Sequence, residues 1–351
     1  MDTLTVRITD NKEQNDRLFE KAADIIRKGG LVAFPTETVY GLGGDAFDES
    51  AAAKIYAAKG RPSDNPLIVH IAEVSDMEKL SDDIPEIAYK LAEKFWPGPL
   101  TMIVRKNDRV PLSVTGGLDT VAIRLPSHPA ARRLIRESGT FIAAPSANLS
   151  GRPSPTRASH VVEDLSGRID MIIDGGDIEI GLESTIVDLT EDVPVILRPG
   201  YITREMLMDA VGEVRLDKAL MTGVAANVRP KAPGMKYRHY APKAAMTIVE
   251  GNTDKVIAYM KDKLDTQTEA GHKVGLMLTS ADAAFFDKGE IISLGDRNDE
   301  DEIAKNLFAA LREFDDRGVD VIYSEAFPET GVGQAVMNRL LKAAGHTVVH
   351  V

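Results

Sequence analysis

The stretch AAKGRPSDNPLIVHI, residues 57–71, runs from a predicted helix into a predicted strand through a loop rich in special residues. In this loop Lys59 and Arg61 flank Gly60, and two prolines restrict the backbone that follows. A glycine is typical of a helix end, so the two cations stand where the chain leaves the helix. We interpret the loop as a rigid segment that presents positive charge to an anionic ligand.

Outward from this loop, hydrophobic patterns predict many short strands with few regular crossovers. The predicted helices cover residues 13–30, 48–59, 85–96, 129–139 and 203–211. The predicted strands cover 31–34, 66–72, 100–104, 120–127, 141–147, 170–174, 184–189 and 194–198. Because clean strand–helix–strand alternation is missing, we expect an α/β fold with a twisted mixed sheet.

The pattern changes twice in the second half of the chain. Residues 213–245 include NVRPKAPGMKYRHYAPKA, with five cations, three prolines and no acid. From residue 246 onward, strands and helices alternate cleanly, which is typical of a small Rossmann-like α/β domain. We therefore predict a first domain over 1–212, a basic proline-rich linker over 213–245 and a second domain over 246–351.

Composition excludes several classes of protein. The net charge of −12 over 351 residues argues against a broad nucleic-acid-binding face. The chain contains no cysteine, which excludes disulfides, thiolate catalysis and cysteine-based metal sites. No apolar run approaches the roughly 20 residues of a membrane span, and the start is not a signal peptide. We expect a cytoplasmic protein with no membrane association.

Polar residues at strand ends add candidates to the cationic loop: Thr36, His70, Arg124, Ser146, Asn148, Ser184 and Arg198. Arg124 interrupts an apolar strand, which is costly unless the charge is paired or meets a ligand. For Arg124 alone, both explanations stay open, and a lone His70 fits a satisfied core histidine. Together, these cations, hydroxyls and amides indicate a pocket for phosphate and carboxylate groups. No Ser-His-Asp set or carboxylate pair points to a hydrolase.

Several blocks resemble one family. KGR at 59–61 and SAN at 146–148 are similar to the K-x-R … S-x-N signature of the YrdC-like threonylcarbamoyl-adenylate synthases. Four further blocks occur in that family's order: FPTETVYGLG (34–43), NPLIVH (65–70), WPGPLT (96–101) and ESTIVD (183–188). PGMKYRHYAP (233–242) resembles the linker of the family's two-domain form, which carries a Rossmann-like C-terminal domain. The resemblance covers essentially the whole chain.

The resemblance implies a reaction and a set of contacts. L-Threonine, bicarbonate or CO2, and ATP would give threonylcarbamoyl-AMP and pyrophosphate, the first step toward threonylcarbamoyladenosine in transfer RNA. By similarity, L-threonine would contact Thr36, His70, Arg124 and Ser184, with Arg124 on its carboxylate. ATP would contact Lys59, Arg61, Asn65, Thr120, Ser146, Asn148, Ser154, Arg198 and Tyr237. Of these, Lys59 and Arg61 would hold phosphates and act as the catalytic pair.

Other implied features concern cofactor, lid and partners. Mg2+ would accompany ATP, without metal ligands from protein side chains. Tyr237, Arg238 and His239 would close over the nucleotide as a lid, although the same segment also fits a solvated basic tether. The product would pass to the downstream tRNA threonylcarbamoyl-transferase machinery, and no stable nucleic-acid binding is expected. His70 fits either a threonine contact or the acceptor of the amine's proton.

One alternative from another class stays open, an RNA-binding module with a concave basic surface. The role of the second domain is open as well: it could brace the lid, bind a regulator or help hand over the product.

Overall fold

The computed structural model describes residues 2–218, 220, 230–233 and 239–351. The described residues divide into two units. The first lies within Met1–Ser150, Ser154–Glu179 and Glu183–Tyr237, and the second within Gly151–Pro153, Ile180–Leu182 and Arg238–Val351. The two short segments of the second unit come from the middle of the chain, which the sequence patterns did not predict.

An eleven-stranded sheet is the scaffold of the first unit as far as the structure describes it. Its strands are β1 (Leu4–Arg7), β2 (Val32–Phe34), β3 (Gly41–Asp45), β4 (Ile68–His70), β5 (Leu100–Arg105), β6 (Thr120–Arg124), β7 (Ile142–Ala144), β8 (Met171–Asp174), β9 (Thr185–Asp188), β10 (Val195–Arg198) and β11 (Arg215–Leu216). The spatial order is β1-β8-β2-β3-β7-β4-β6-β5-β9-β10-β11.

Helices connect these strands and cover the apolar core. They are α1 (Lys12–Arg27), α2 (Glu49–Lys59), α3 (Glu86–Phe95), α4 (Pro129–Ser138), α5 (Ala158–Leu165) and α6 (Arg204–Val211), with a 3-10 helix at Val74–Lys79. Asp48 caps α2 by accepting a hydrogen bond from the backbone of Ser50, and Gly60 ends it in the left-handed conformation with φ 61°. Helix α2 therefore ends at the cationic loop, as predicted.

Parallel and antiparallel pairs alternate irregularly through the sheet. Strand β6 runs parallel to β4 and antiparallel to β5, and β5 runs parallel to β9. In this register Arg124 is opposite His70 on one side and Thr101 on the other. The predicted mixed sheet is confirmed, and its register brings residues distant in sequence to neighbouring positions.

The glycine-rich segment GLGGD, residues 41–45, lies outside the predicted strands. In the structure it forms strand β3, paired with β2 and β7. At Gly43 a Cβ atom would lie 2.5 Å from Ile142 Cγ2 and 2.7 Å from the Phe34 ring. Close packing between neighbours therefore requires glycine here, in spite of its low strand propensity.

The predicted linker does not match the structure at its N-terminal end. Strand β11 pairs with β10, so residues 215–216 belong to the first sheet rather than to a separate segment. Further on, Lys231 Nζ lies 3.2 Å from Asp188 Oδ2 at the end of β9. The interpretation of the rest of 213–245 as a linker stays a prediction, since much of it lies outside the described residues.

The second unit is built on a five-stranded parallel sheet in the order β14-β13-β15-β12-β16. Its strands are β12 (Ala245–Glu250), β13 (Val274–Leu278), β14 (Glu290–Ser293), β15 (Val321–Glu325) and β16 (Val348–His350). Its helices are α7 (Thr253–Glu269), α8 (Ser280–Ala283), α9 (Glu300–Arg317) and α10 (Gly333–Ala343). Strands and helices alternate along the chain, which confirms the Rossmann-like prediction.

Replacing buried Leu42 should destabilise the first unit much more than replacing exposed Leu112. Leu42 is 0% exposed on β3 and Leu112 is 56% exposed. We expect Leu42→Ala to lower the free energy of unfolding by about 2–5 kcal/mol, and Leu112→Ala by about 0.5 kcal/mol or less. The chain's single tryptophan, Trp96, lies in the first unit, so its fluorescence in urea isolates that unit. Equal shifts for both variants would contradict the assigned core.

Candidate active site

Lys59 joins the two sequence motifs. It is the last residue of α2, and its side chain is buried, with the residue 2% exposed. Its ammonium donates hydrogen bonds to the carbonyls of Ser146 and Asn148, the latter at 2.5 Å. A buried ammonium is stable only when polar partners replace water. The KGR and SAN motifs therefore form one structural element.

Arg61 folds back onto its own loop. Its Nε donates to Asn65 O at 3.3 Å and its Nη2 donates to Pro66 O at 3.1 Å. The Tyr56 hydroxyl reaches the same Asn65 carbonyl at 3.3 Å. These contacts hold the loop in one shape, in agreement with its proline content.

The SAN segment is ordered by its own side chains. Ser146 Oγ donates to Asn148 Oδ1 at 2.5 Å, and Asn148 Nδ2 donates to Leu149 O at 2.8 Å. Ser154 lies fully buried nearby in sequence, and its hydroxyl donates to the Glu183 carboxylate. Hydroxyl and amide groups are thus fixed in place beside the Lys59 contact.

Arg124 forms a buried ion pair that the sequence did not identify. Its Nη2 lies 2.7 Å from Glu37 Oε1, and the two side chains are 5% and 2% exposed. Burial acts to raise the pKa of Glu37, but the Arg124 guanidinium outweighs it and holds that pKa below its usual range. Neither Arg124 Nε nor Glu37 Oε2 has a hydrogen-bond partner among the described residues. The pair therefore keeps one N–H donor and one carboxylate oxygen that no described residue uses.

Glu37 could have been found by the signal that singled out Arg124. It is a charged residue inside the largely apolar stretch FPTETVY, residues 34–40. A carboxylate in such a position requires a buried cation as partner. Arg124, the one arginine within the strand TVAIR, was the available candidate.

His70 is a buried, neutral imidazole. Its Nδ1 lies 3.1 Å from Ile68 O, and its ring meets the Phe34 ring edge-on with centroids 6.1 Å apart. Burial, with the positive charge of Arg124, lowers the pKa of His70 to about 3. A histidine of this kind accepts or donates a hydrogen bond to a ligand but binds protons weakly.

Ser184, just before β9, contacts Arg198, the last residue of the neighbouring strand β10. Arg198 Nε donates to Ser184 O at 3.0 Å, and its Nη2 donates to Ser184 Oγ at 3.1 Å. The same Oγ lies 2.8 Å from Thr101 Oγ1. Since Thr101 is opposite Arg124 in the sheet, a polar strip runs from β10 through β9, β5 and β6 to His70 on β4. Thr101 was missed by the sequence, where it looks like an ordinary strand threonine.

The remaining predicted residues occupy other positions. Thr36 Oγ1 donates to Val39 O at 2.6 Å and lies 2.9 Å from Thr38 Oγ1, within a buried turn after β2. Thr120 begins β6, at the opposite end of that strand from Arg124. His239 is buried in the second unit, with its ring 5.5 Å from the Tyr240 ring. Tyr237 and Arg238 lie outside the described residues.

The described part of the chain contains no group of three or more His, Asp or Glu side chains arranged to hold a metal ion. None of its helices combines the length and hydropathy that spanning a membrane requires.

Fold and site together define an α/β protein in which a mixed sheet holds buried cations, hydroxyls and amides for an anionic ligand. The Sua5/YciO/YrdC family model, described as "Telomere recombination", matches residues 24–200. The model described as "Threonylcarbamoyl-AMP synthase, C-terminal domain" matches residues 202–345.

Relatives and a solved structure match the whole chain. It is 52% identical to the threonylcarbamoyl-AMP synthase of Pyrococcus abyssi, over 94% of this chain and 95% of that protein. It is 49% identical to the Bacillus subtilis threonylcarbamoyl-AMP synthase, over 98% of each. The crystal structure of P. abyssi Sua5 complexed with L-threonine has a TM-score of 0.93 at 50% identity and covers 100% of both chains. The chain belongs to the two-domain threonylcarbamoyl-AMP synthase family, which confirms the resemblance inferred from its motifs.

The neutrality of His70 predicts a pH dependence of stability. In the unfolded chain a histidine binds a proton near pH 6.5, and in the fold His70 does so near pH 3. The stability that neutral His70 contributes is therefore present above pH 6.5 and lost as pH falls toward 3. The difference in free energy of unfolding between wild type and His70→Asn should shrink by on the order of 2 kcal/mol between about pH 7 and about pH 5. Trp96 fluorescence in urea measures it, and an unchanged difference would show that the pKa of His70 is the same in the fold as in the unfolded chain.

Proposed function

We propose that the first unit makes threonylcarbamoyl-AMP and pyrophosphate from L-threonine, bicarbonate or CO2, and ATP. The observation that carries the proposal is the contact of Lys59 with the carbonyls of Ser146 and Asn148. It unites the K-x-R and S-x-N motifs in one polar site. This activity fits the family better than the RNA-binding alternative, which no contact or relative favours.

The chemistry asks for charge and positioning rather than a covalent nucleophile. The threonine amine attacks the carbon of CO2 and releases a proton, or attacks bicarbonate with loss of water, and either route gives a carbamate. A carbamate oxygen then attacks the α-phosphorus of ATP while pyrophosphate leaves. Negative charge builds up on the phosphate oxygens, which positioned cations stabilise in a site of low dielectric constant. Lys59, Arg61 and Arg198 are buried cations held by backbone carbonyls, so little reorganisation is needed during the reaction.

At the amino-acid end, Arg124 binds the threonine carboxylate. Glu37 holds one guanidinium nitrogen of Arg124, which orients the remaining nitrogens toward the ligand. Ser184 and Thr36 supply hydroxyls for the rest of the amino acid. With a pKa of about 3, His70 is too weak a base to take the amine's proton efficiently near neutral pH, so it serves as a hydrogen-bonding contact.

The nucleotide occupies the other part of the site. Asn65, Thr120, Ser146, Asn148 and Ser154 contact ATP beyond the phosphates. Lys59, Arg61 and Arg198 are cations and cannot act as metal ligands, so the site fits a metal that its ligand holds. Mg2+ would enter with ATP, held by phosphate oxygens and water, and would supply further charge neutralisation. Tyr237, Arg238 and His239 would close over the site.

The cellular context follows from the reaction. The product is a labile mixed anhydride, so a tRNA threonylcarbamoyl-transferase must consume it soon after release. That consumer works on transfer RNA, and we propose that the enzyme acts in the cytoplasm, where transfer RNA is modified.

Pyrophosphate release tests the reaction. With ATP, Mg2+ and bicarbonate present and each amino acid added singly, we expect release with L-threonine alone and none after chelation of Mg2+. Lys59→Ala should reduce the rate by about 10²–10³-fold, the usual cost of removing one positioned group that stabilises developing charge. The control is Lys12→Ala, because Lys12 is 88% exposed on α1.

Trp96 fluorescence shows whether each variant is folded. Release that ignores threonine would leave an adenylate-forming enzyme with another substrate. No release from folded wild-type protein would overturn the proposal.

Arg124 and Glu37 should affect threonine and ATP unequally. Arg124→Ala should raise the KM for threonine by about 30- to 150-fold, since a charge-assisted contact contributes about 2–3 kcal/mol. Glu37→Gln should act in the same direction by less, because glutamine keeps a hydrogen bond to Arg124 but not the charge. The matched control is Arg105→Ala on β5, whose side chain is 58% exposed. Equal losses in the KM for ATP and for threonine would contradict the assignment.

A further inference from the structure

The second unit contains a cavity at the carboxyl edge of its parallel sheet. Its volume is about 220 Å³. The ends of β12 and β15 and the start of α7 line it, and four of its lining residues are charged: Glu250, Asp282, Arg297 and Glu325. Neither the reaction proposed for the first unit nor its residues involve this cavity.

The topology explains why the cavity lies there. In the order β14-β13-β15-β12-β16, the chain leaves β12 for β13 on one side, whereas it leaves β15 for β16 on the other. Because parallel crossovers are right-handed, helices that follow neighbouring strands in opposite directions go to opposite faces of the sheet. A crevice opens between β12 and β15 at such a switch point, and it is where open α/β sheets bind ligands.

One wall of the cavity is a charged cluster in which two buried carboxylates meet the partly exposed Arg297 side chain. Arg297 Nη2 donates to Asp282 Oδ2 at 2.6 Å and also to the Glu325 carboxylate. Asp282 and Glu325 are 4% and 2% exposed, and the backbone N–H of Thr279 donates to Glu325 as well. Two buried carboxylates against one cation leave an excess of acceptors, which suits a ligand with positively charged N–H donors.

The opposite wall combines the N-terminal end of α7 with one half-exposed carboxylate, Glu250, whose Oε2 lies 3.2 Å from His350 Nδ1. Gly251 and Thr253 bring the first turn of α7 to the cavity, and this 17-residue helix directs the positive end of its dipole there. Together with the guanidinium of Arg297, this end suits a carboxylate. Val249, Val256 and Phe327 complete the lining with apolar surface.

We propose that this cavity binds a free α-amino acid. The ammonium group contacts Asp282 and Glu325, the carboxylate lies between Arg297 and the first turn of α7, and the side chain packs on Val256 and Phe327. The volume supports this class of ligand. A cavity of about 150 Å³ holds a benzene molecule, and sites for larger ligands occupy about 300–1,000 Å³. A cavity of 220 Å³ accommodates a ligand of the size of an amino acid.

Hydrogen exchange read by mass spectrometry on the full chain tests the proposal peptide by peptide. Each protein amino acid is added singly at ~1 mM, which saturates a site of micromolar affinity. We expect at least one to slow exchange in residues 249–256 and 325–328. The α-hydroxy acid and the decarboxylated amine with the same side chain should not, because each lacks one of the two charged groups. Threonine bound in the first unit protects other peptides, so the two sites are read separately.

Variants locate the effect. Arg297→Met should abolish the protection, whereas Lys255→Met, an exposed position on α7, should retain it. Arg297→Lys keeps the charge but cannot bridge two carboxylates and a ligand. We therefore expect it to raise the amino-acid concentration needed for protection at least tenfold. The proposal is overturned if no amino acid protects these segments, if the amine or hydroxy acid protects equally, or if Arg297→Met changes nothing.

Discussion

Burial of positive charge is the constraint on which the first unit depends. Lys59, Arg124 and Arg198 are 2%, 4% and 5% exposed, so each needs polar partners in place of water. Those partners come from distant parts of the chain: the SAN loop for Lys59, Glu37 for Arg124 and the start of β9 for Arg198. Each cation thereby ties together segments that sequence separates widely. An enzyme that must neutralise phosphate and carboxylate groups can use the same cations to hold its fold together and to bind these groups.

Much of the fold was predictable because local and tertiary preferences agree. Helix α2 begins at a capping aspartate and ends at a left-handed glycine, and both signals are visible in the sequence. Strand β3 was missed because its glycines oppose strand formation. Glycine is needed at position 43 because the Phe34 and Ile142 side chains on neighbouring strands leave no room for a Cβ atom. Periodicity within one segment contains no information about such neighbours.

The site was predictable in kind but not in its contacts. Buried cations in apolar strands were a sound signal, and they identified Arg124. Its partner Glu37 and the neighbouring Thr101 were missed, because the pairing depends on which strands lie side by side. The motifs identified the residues that we propose to contact the ligands, whereas the residues that hold them in place needed the register of the sheet.

The two units place polar residues differently because their sheets differ. Antiparallel neighbours in the mixed sheet, such as β5 and β6, end at opposite edges, so no single edge collects all the functional residues. Instead, the register aligns Arg124 with His70 and Thr101. In the parallel sheet all strands end at one edge, and Thr279 and Glu325 meet there directly. A parallel sheet therefore shows its functional edge in the sequence as polar residues after apolar strands. In a mixed sheet the site residues lie within the strands, so the signal in the sequence is a charged residue among apolar neighbours.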